Sequence, residues 1–322
     1  MNALLNIQSI WEADRNIREF AMVTPILHSE ALFRDLGFRL MLKAENLQTT
    51  NSFKIRGASN CILNQVKASP GIKGIVTASS GNHGQAVAYV AWRLGLPSAI
   101  IMPETAPKAK VNAVSRWGAR VEFCGTTSQQ RLARSKRVAL EEGYIEIPPY
   151  DHYDVIAGQG TIGKEILEQL PDVDIVLVPI GGGGLISGIS TFIKNIKPQV
   201  QVIGVEPENS NSMWVSMNKG EITQLERTAS IADGLLTLRP GSLTFPLVKK
   251  YVDRIMLVTE SEILGALRTC IKYFKAVPEP SGAVSIAAAL KENWDKDKKV
   301  VSVVSGGNYD MDKLPGFLGV QS

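Results

Sequence analysis

With 322 residues the chain has length for roughly two domains and for a core that needs no disulfide or metal staple. Its 35 basic and 31 acidic side chains give a formal charge of +4 and are interspersed, so nucleic-acid binding is not indicated. Cys61, Cys124 and Cys270 stand far apart without C-x-x-C spacing, which argues against a zinc site or redox pair and fits a reducing cytoplasm.

The N-terminal stretch carries Glu12, Asp14 and Glu19 and no basic segment followed by an apolar run, so it reads as part of the fold rather than a signal or transit peptide. Short β-rich runs then recur between helix-patterned segments, at 40–45, 74–79, 98–103, 120–125, 174–181, 201–206, 254–259 and 299–305. This alternation predicts parallel α/β units. Runs such as Ile175-Val176-Leu177-Val178 are apolar on successive residues, as strands covered on both faces should be. The segment 74–125 holds three strand-helix repeats, a unit expected to be a smaller domain inserted into a larger one, and Pro148-Pro149-Tyr150-Asp151 is the natural return linker. The uncharged stretch 175–193 approaches the length of a membrane span, but Pro179 and four glycines divide it into strand, loop and helix. The tail after Asn308 is expected to be too short for a regulatory domain.

Five motifs carry the chemistry. Ser52-Phe53-Lys54-Ile55-Arg56-Gly57 places a lysine between apolar neighbours at a helix start, where desolvation would make the amine a nucleophile. Ser79-Ser80-Gly81-Asn82-His83-Gly84 follows a strand and opens a helix; its amides suit a carboxylate, and helix capping would select the same residues. His83 reads as structural, and three histidines with no H-x-x-x-H pair argue against a zinc hydrolase. Gly181-Gly182-Gly183-Gly184 follows a buried strand and precedes a helix, a setting in which backbone N–H groups hold a phosphate without a lysine. Glu206 lies where a ribose-binding acid would, yet neither the G-x-G-x-x-G nor the P-loop register fits. Glu279-Pro280-Ser281-Gly282 precedes an apolar helix, with Ser281 as the expected N-cap and Glu279 left open. Ser305-Gly306-Gly307-Asn308 ends the last strand, where open α/β sheets meet their ligands.

In this order, S-F-K-I-R-G, S-S-G-N-H-G, I-A-G-Q-G-T at 156–161, G-G-G-G-L and S-G-G-N resemble the serine racemase and threonine/serine dehydratase branch of the fold-type-II pyridoxal-phosphate enzymes, in the tryptophan synthase β-subunit superfamily. The resemblance runs from about Thr24 to Asn308. It implies an α/β fold of two open, mostly parallel sheets flanked by helices, a large domain of residues 1–48 and 149–322 and a small one of 49–148. By this likeness Lys54 binds the aldehyde of pyridoxal 5'-phosphate and moves the substrate's Cα proton. Phe53, Asn82, Gly181, Gly182, Gly183, Gly184, Leu185 and Ser305 complete the cofactor site, Asn82 at the ring hydroxyl and Ser305 at the pyridine nitrogen. Ser79, Ser80, Gly81, Asn82 and His83 bind the substrate carboxylate.

A seryl hydroxyl is too weakly acidic to keep the pyridine nitrogen protonated, which favours β-elimination over transamination. The expected reaction converts L-threonine, L-serine or a related β-hydroxy amino acid to a 2-oxo acid and ammonia. The alternative is a serine racemase, with Ser80 as the acid on the opposite ring face. The racemases' divalent-cation site has no full match, because Ser212 stands where a carboxylate partner of Glu206 is expected, so no bound metal is expected. Tyr150, Asp151, His152 and Tyr153 are expected to shape the side-chain pocket, and the likeness implies a homodimer or homotetramer. A nicotinamide-dependent oxidoreductase using Glu206 and a noncatalytic small-molecule binder are the rival readings.

Overall fold

Residues 5–79, 81–308 and 310–318 are described by the computed structural model. Among them lie the strands β1 (Ile26–Leu27), β2 (Arg39–Lys43), β3 (Ile75–Ala78), β4 (Ser98–Met102), β5 (Arg120–Phe123), β6 (Ile145–Glu146), β7 (Ile175–Pro179), β8 (Gln201–Pro207), β9 (Arg254–Val258) and β10 (Lys299–Val303). Six form a sheet in the order β1-β2-β10-β7-β8-β9, parallel except for β1. The others form a parallel sheet in the order β5-β4-β3-β6. This is the expected two-sheet α/β architecture, and all eight expected strands are present. The additions, β1 and β6, are two residues long and too short to leave a periodic signature.

The successive apolar residues of the large sheet serve two cores. Val176, Val178, Val301 and Val303 pack with the helices Tyr153–Gln169 and Gly184–Ile196, whereas Ile175, Leu177, Val300 and Val304 face the helix Pro280–Lys291. Both faces are covered, which removes any need for the polar alternation of a one-sided sheet. The apolar stretch 175–193 is accordingly divided between β7 and the helix Gly184–Ile196.

Helix Lys54–Ala68 packs against Tyr153–Gln169 through glycine on both sides: a Cβ on Gly158 would come within 2.5 Å of the Arg56 carbonyl oxygen. That contact explains the first glycine of the I-A-G-Q-G-T motif. The close approach allows a buried charge network. Arg56 donates from Nε and Nη2 to Glu45 (2.8 Å each) and from Nη1 and Nη2 to Glu165 (2.6 and 2.9 Å). Lys43, the last residue of β2, donates to Glu165 (2.5 Å), to Gln169 Oε1 (3.0 Å) and to the Thr24 carbonyl (2.7 Å). Two cations and two anions thus cancel within the core. Burial opposes the charge on Glu45, but Arg56 and then Lys43 outweigh it and hold the carboxyl below the usual range.

Removing one member leaves charge buried without its partner. Glu165→Ala is expected to lower unfolding free energy by about 3–5 kcal/mol, read as a drop in urea midpoint at constant m-value.

Candidate active site

A crevice of about 840 Å³ is lined by Lys54, Asn82, the glycine run and Ser305. Topology assembles it. Strand β10 lies between β2 and β7, so the chain leaving each of the three emerges side by side, at the position where open parallel sheets bind ligands.

Backbone hydrogen bonds join the segment before Lys54 to the end of β10. The Phe53 N–H donates to the Ser305 carbonyl (3.1 Å), Ser52 and Gly306 form an antiparallel bridge, and the Gly307 N–H donates to the Asn51 carbonyl (2.9 Å). Asn51 takes the left-handed conformation, φ 54°, that this turn requires. Lys54 is the first residue of its helix. Its Nζ donates to the Pro149 carbonyl (2.7 Å) and lies 5.1 Å from the centre of the Phe53 ring. Withdrawal from bulk water pushes its pKa down to about 8.

The glycine run opens the helix Gly184–Ile196 with no side-chain cap, and Gly183 adopts φ 94°. A Cβ on Gly182 would run into the Tyr150 ring, and one on Gly183 would come within 2.8 Å of Thr244 Oγ1. Gly181, Gly182, Gly183, Gly184 and Leu185 all border the crevice, beside first-turn amides that no side chain caps.

Helix Asn82–Arg93 likewise starts at Gly81 without a side-chain cap, so the capping reading of this motif is not met. Ser79 and Gly81 are joined locally, the serine Oγ accepting from the Gly81 N–H (3.3 Å). Ser80 lies outside the described residues. His83 is buried and donates from Nε2 to the Ile147 carbonyl (3.0 Å). Burial, and then the neighbouring Lys54 charge, push its pKa down to about 3, which leaves the ring neutral and structural.

Sequence reasoning missed a polar chain across the crevice. Asn82 Nδ2 donates to Glu279 Oε1 (2.6 Å), and Asn308 Nδ2 donates to Asn82 Oδ1 (3.0 Å) and to the Thr50 carbonyl (2.8 Å). Burial, and then the charge of Asp233, push the Glu279 carboxyl up to about 8. The Asn82 amide retains a second N–H for a ligand. Ser281 is not the N-cap: Pro280 begins the helix, Glu279 precedes it, and the Ser281 hydroxyl accepts from the Gly234 N–H (2.9 Å). Ser305 is buried and its hydroxyl donates to the Ser281 carbonyl (3.4 Å). Lys110, beyond β4, pairs with Asp233, beyond β8, at 2.5 Å, and both border the crevice.

Two other expectations change. Among Tyr150, Asp151, His152 and Tyr153 only Tyr150 borders the crevice; the Asp151 carboxylate accepts from the Ser242 and Leu243 amides (2.9 and 2.8 Å) and anchors the linker. Glu206 is buried, with its oxygens accepting from the Met213 and Trp214 N–H groups (3.0 and 2.7 Å), so it has no ribose to read. That removes the residue on which the nicotinamide reading rested.

Two mostly parallel sheets meeting at a desolvated lysine and an uncapped glycine turn define a lysine-centred α/β enzyme. The family model described as pyridoxal-phosphate dependent enzyme matches residues 17–306. The chain belongs to that family, which implies pyridoxal phosphate as cofactor. An L-threonine ammonia-lyase of Thermotoga maritima is 42% identical over 311 residues, 97% of this chain and 77% of the relative. The catabolic L-threonine dehydratase TdcB of Escherichia coli K12 is 45% identical over 283 residues, 87% of this chain and 86% of that protein. The solved maize serine racemase superposes with a TM-score of 0.93 at 38% identity, covering 97% of this chain and 96% of that one. The resemblance read from the motifs is borne out. Among the described residues no helix is long and apolar enough to cross a membrane.

The depressed lysine pKa has a measurable sign. Only the unprotonated amine attacks an aldehyde, so capture of pyridoxal phosphate by the apoprotein should accelerate as pH rises, with a midpoint near 8 rather than the ordinary 10.5. Stopped-flow absorbance against pH reads it.

Proposed function

We propose that the chain is a pyridoxal-phosphate-dependent ammonia-lyase that converts L-threonine, L-serine or a related β-hydroxy amino acid to the 2-oxo acid and ammonia. The reading is carried by one juxtaposition: the Lys54 amine and the glycine-bounded start of helix Gly184–Ile196 border the same crevice. The fit to the cofactor rests on that uncapped turn and on Ser305, a buried neutral hydroxyl at the end of β10. When bound, pyridoxal phosphate supplies the electron sink that acidifies the substrate's Cα–H.

The protein's own residues then have defined tasks. Gly181, Gly182, Gly183, Gly184 and Leu185 hold the phosphate through backbone N–H groups. Phe53 flanks the lysine, and Ser305 would face the ring nitrogen without a counter-charge. Asn82, oriented by Glu279 and Asn308, would offer its remaining N–H to the ring hydroxyl. The amides of Ser79, Ser80, Gly81, Asn82 and His83 bind the substrate carboxylate at the start of helix Asn82–Arg93. Lys54, poised near neutrality, would take the Cα proton as the β-hydroxyl leaves as hydroxide, which that proton, once released, converts to water. Residues 49–148 form the small domain that brings the carboxylate site to the large domain of 1–48 and 149–322.

The names of the similar ammonia-lyases support threonine as the leading substrate. The likeness to a serine racemase, together with Ser80, makes enantiomer exchange the second activity to measure. In a panel of β-hydroxy amino acids, L-threonine is expected to give 2-oxobutanoate and ammonia in equal amounts. Lys54→Ala should lose roughly 1,000-fold or more in turnover while circular dichroism stays unchanged. Ser80→Ala should reduce enantiomer exchange much more than elimination.

A further inference from the structure

A second cluster lies outside the crevice, where the return linker enters helix Tyr153–Gln169. Cys61 Sγ is 3.7 Å from His152 Nδ1, which is 3.8 Å from Asp154 Oδ2, and the donor atoms of the three residues fall within 4.8 Å of one another. None of these residues borders the crevice. The thiol is buried, while the side chains of His152 and Asp154 are 35% and 31% exposed, so an ion can enter from solvent with the sulfur at its base.

Bond lengths of about 2.3 Å to sulfur and about 2.0–2.1 Å to nitrogen or oxygen place tetrahedral zinc ligands roughly 3.3–3.6 Å apart. The cluster reaches this spacing by closing a few tenths of an ångström at two edges and at most about 1.3 Å at the third. Its carboxylate is already oriented. Asn64 Nδ2 donates to Asp154 Oδ1 (2.8 Å), leaving Oδ2 toward the histidine, and Asn60 Nδ2 donates to the Asp154 carbonyl (2.8 Å). Asn16 Nδ2 in turn donates to Asn60 Oδ1 and Asn64 Oδ1 (3.1 Å each). Such outer partners fix ligands at metal centres.

We propose that Cys61, His152 and Asp154 bind a zinc-class divalent cation through Sγ, Nδ1 and Oδ2, with water in the fourth position. The thiol proton passes to solvent, and thiolate plus carboxylate neutralise the ion beside the positive end of the helix. The Nδ1 lone pair now accepts from the Asp154 N–H (3.2 Å) and caps that helix. Metal binding takes the lone pair over and exchanges one restraint on the linker for another.

The test titrates cobalt(II), then zinc, into the pyridoxal-phosphate-loaded, tag-free protein. One equivalent of cobalt should raise tetrahedral ligand-field bands in the red, clear of the cofactor, and zinc should displace it. Cys61→Ser and Asp154→Asn should each weaken binding at least tenfold, whereas Cys124→Ser should bind as the parent does. Circular dichroism confirms folding, and either ligand variant suffices if the other fails to fold. Absence of the bands in the parent protein, or equal affinity in a folded Cys61→Ser or Asp154→Asn variant, overturns the site.

Discussion

The buried pairing of Arg56 and Lys43 with Glu45 and Glu165 is the constraint on which the rest of the molecule depends. It ties together the end of β2, the first turn of helix Lys54–Ala68 and the C-terminal half of helix Tyr153–Gln169. Arg56 lies two residues beyond Lys54, so whatever fixes the guanidinium fixes the direction in which the lysine leaves the backbone. Burying four charges carries a large desolvation cost, and apolar packing of the same volume would stabilise the core as well or better. What the network adds is geometry: two carboxylates met by a rigid guanidinium fork admit one register of the helix pair, and slippage would strand charge in the core.

The same desolvation that makes the network costly shapes the crevice. It brings Lys54 and Glu279 to about 8 and His83 to about 3, so at neutral pH the imidazole and the Glu279 carboxyl are mostly uncharged, while Lys54 still carries its proton but gives it up within about one pH unit. A lysine in ordinary solvent would be protonated and inert toward an aldehyde. The wall around it therefore contributes to reactivity as much as the residue itself does. The phosphate and carboxylate sites we propose use neutral backbone donors instead of cations, and added cations would depress the lysine further or compete with it for anions.

Much of this was legible in the sequence because local patterns carried it. The strands of the two sheets announce themselves as apolar runs, and the lysine, glycine and serine motifs lie where strands end. The hidden part is whatever joins distant segments. Glu279, Asn82 and Asn308 meet only because β10 lies near the helix Pro280–Lys291 and the two sheets face one crevice. Cys61 and His152 are brought together by the glycine-mediated approach of two helices, and no spacing rule spans such a gap. Ser281 misled because a serine near a helix start is usually a cap, whereas Pro280 starts the helix two residues earlier than that reading and frees the hydroxyl for Gly234. The departure of His152 and Asp151 from the side-chain pocket stems from the linker's course, which Asp151 anchors to the backbone at Ser242 and Leu243.

The central claim is that one amine, held against the Pro149 carbonyl and kept from bulk water, anchors the cofactor. Borohydride reduction of the loaded protein followed by peptide mass spectrometry tests it most directly. The account predicts a single phosphopyridoxyl group on Lys54; a label on another lysine, or none on a protein saturated with cofactor, would contradict it.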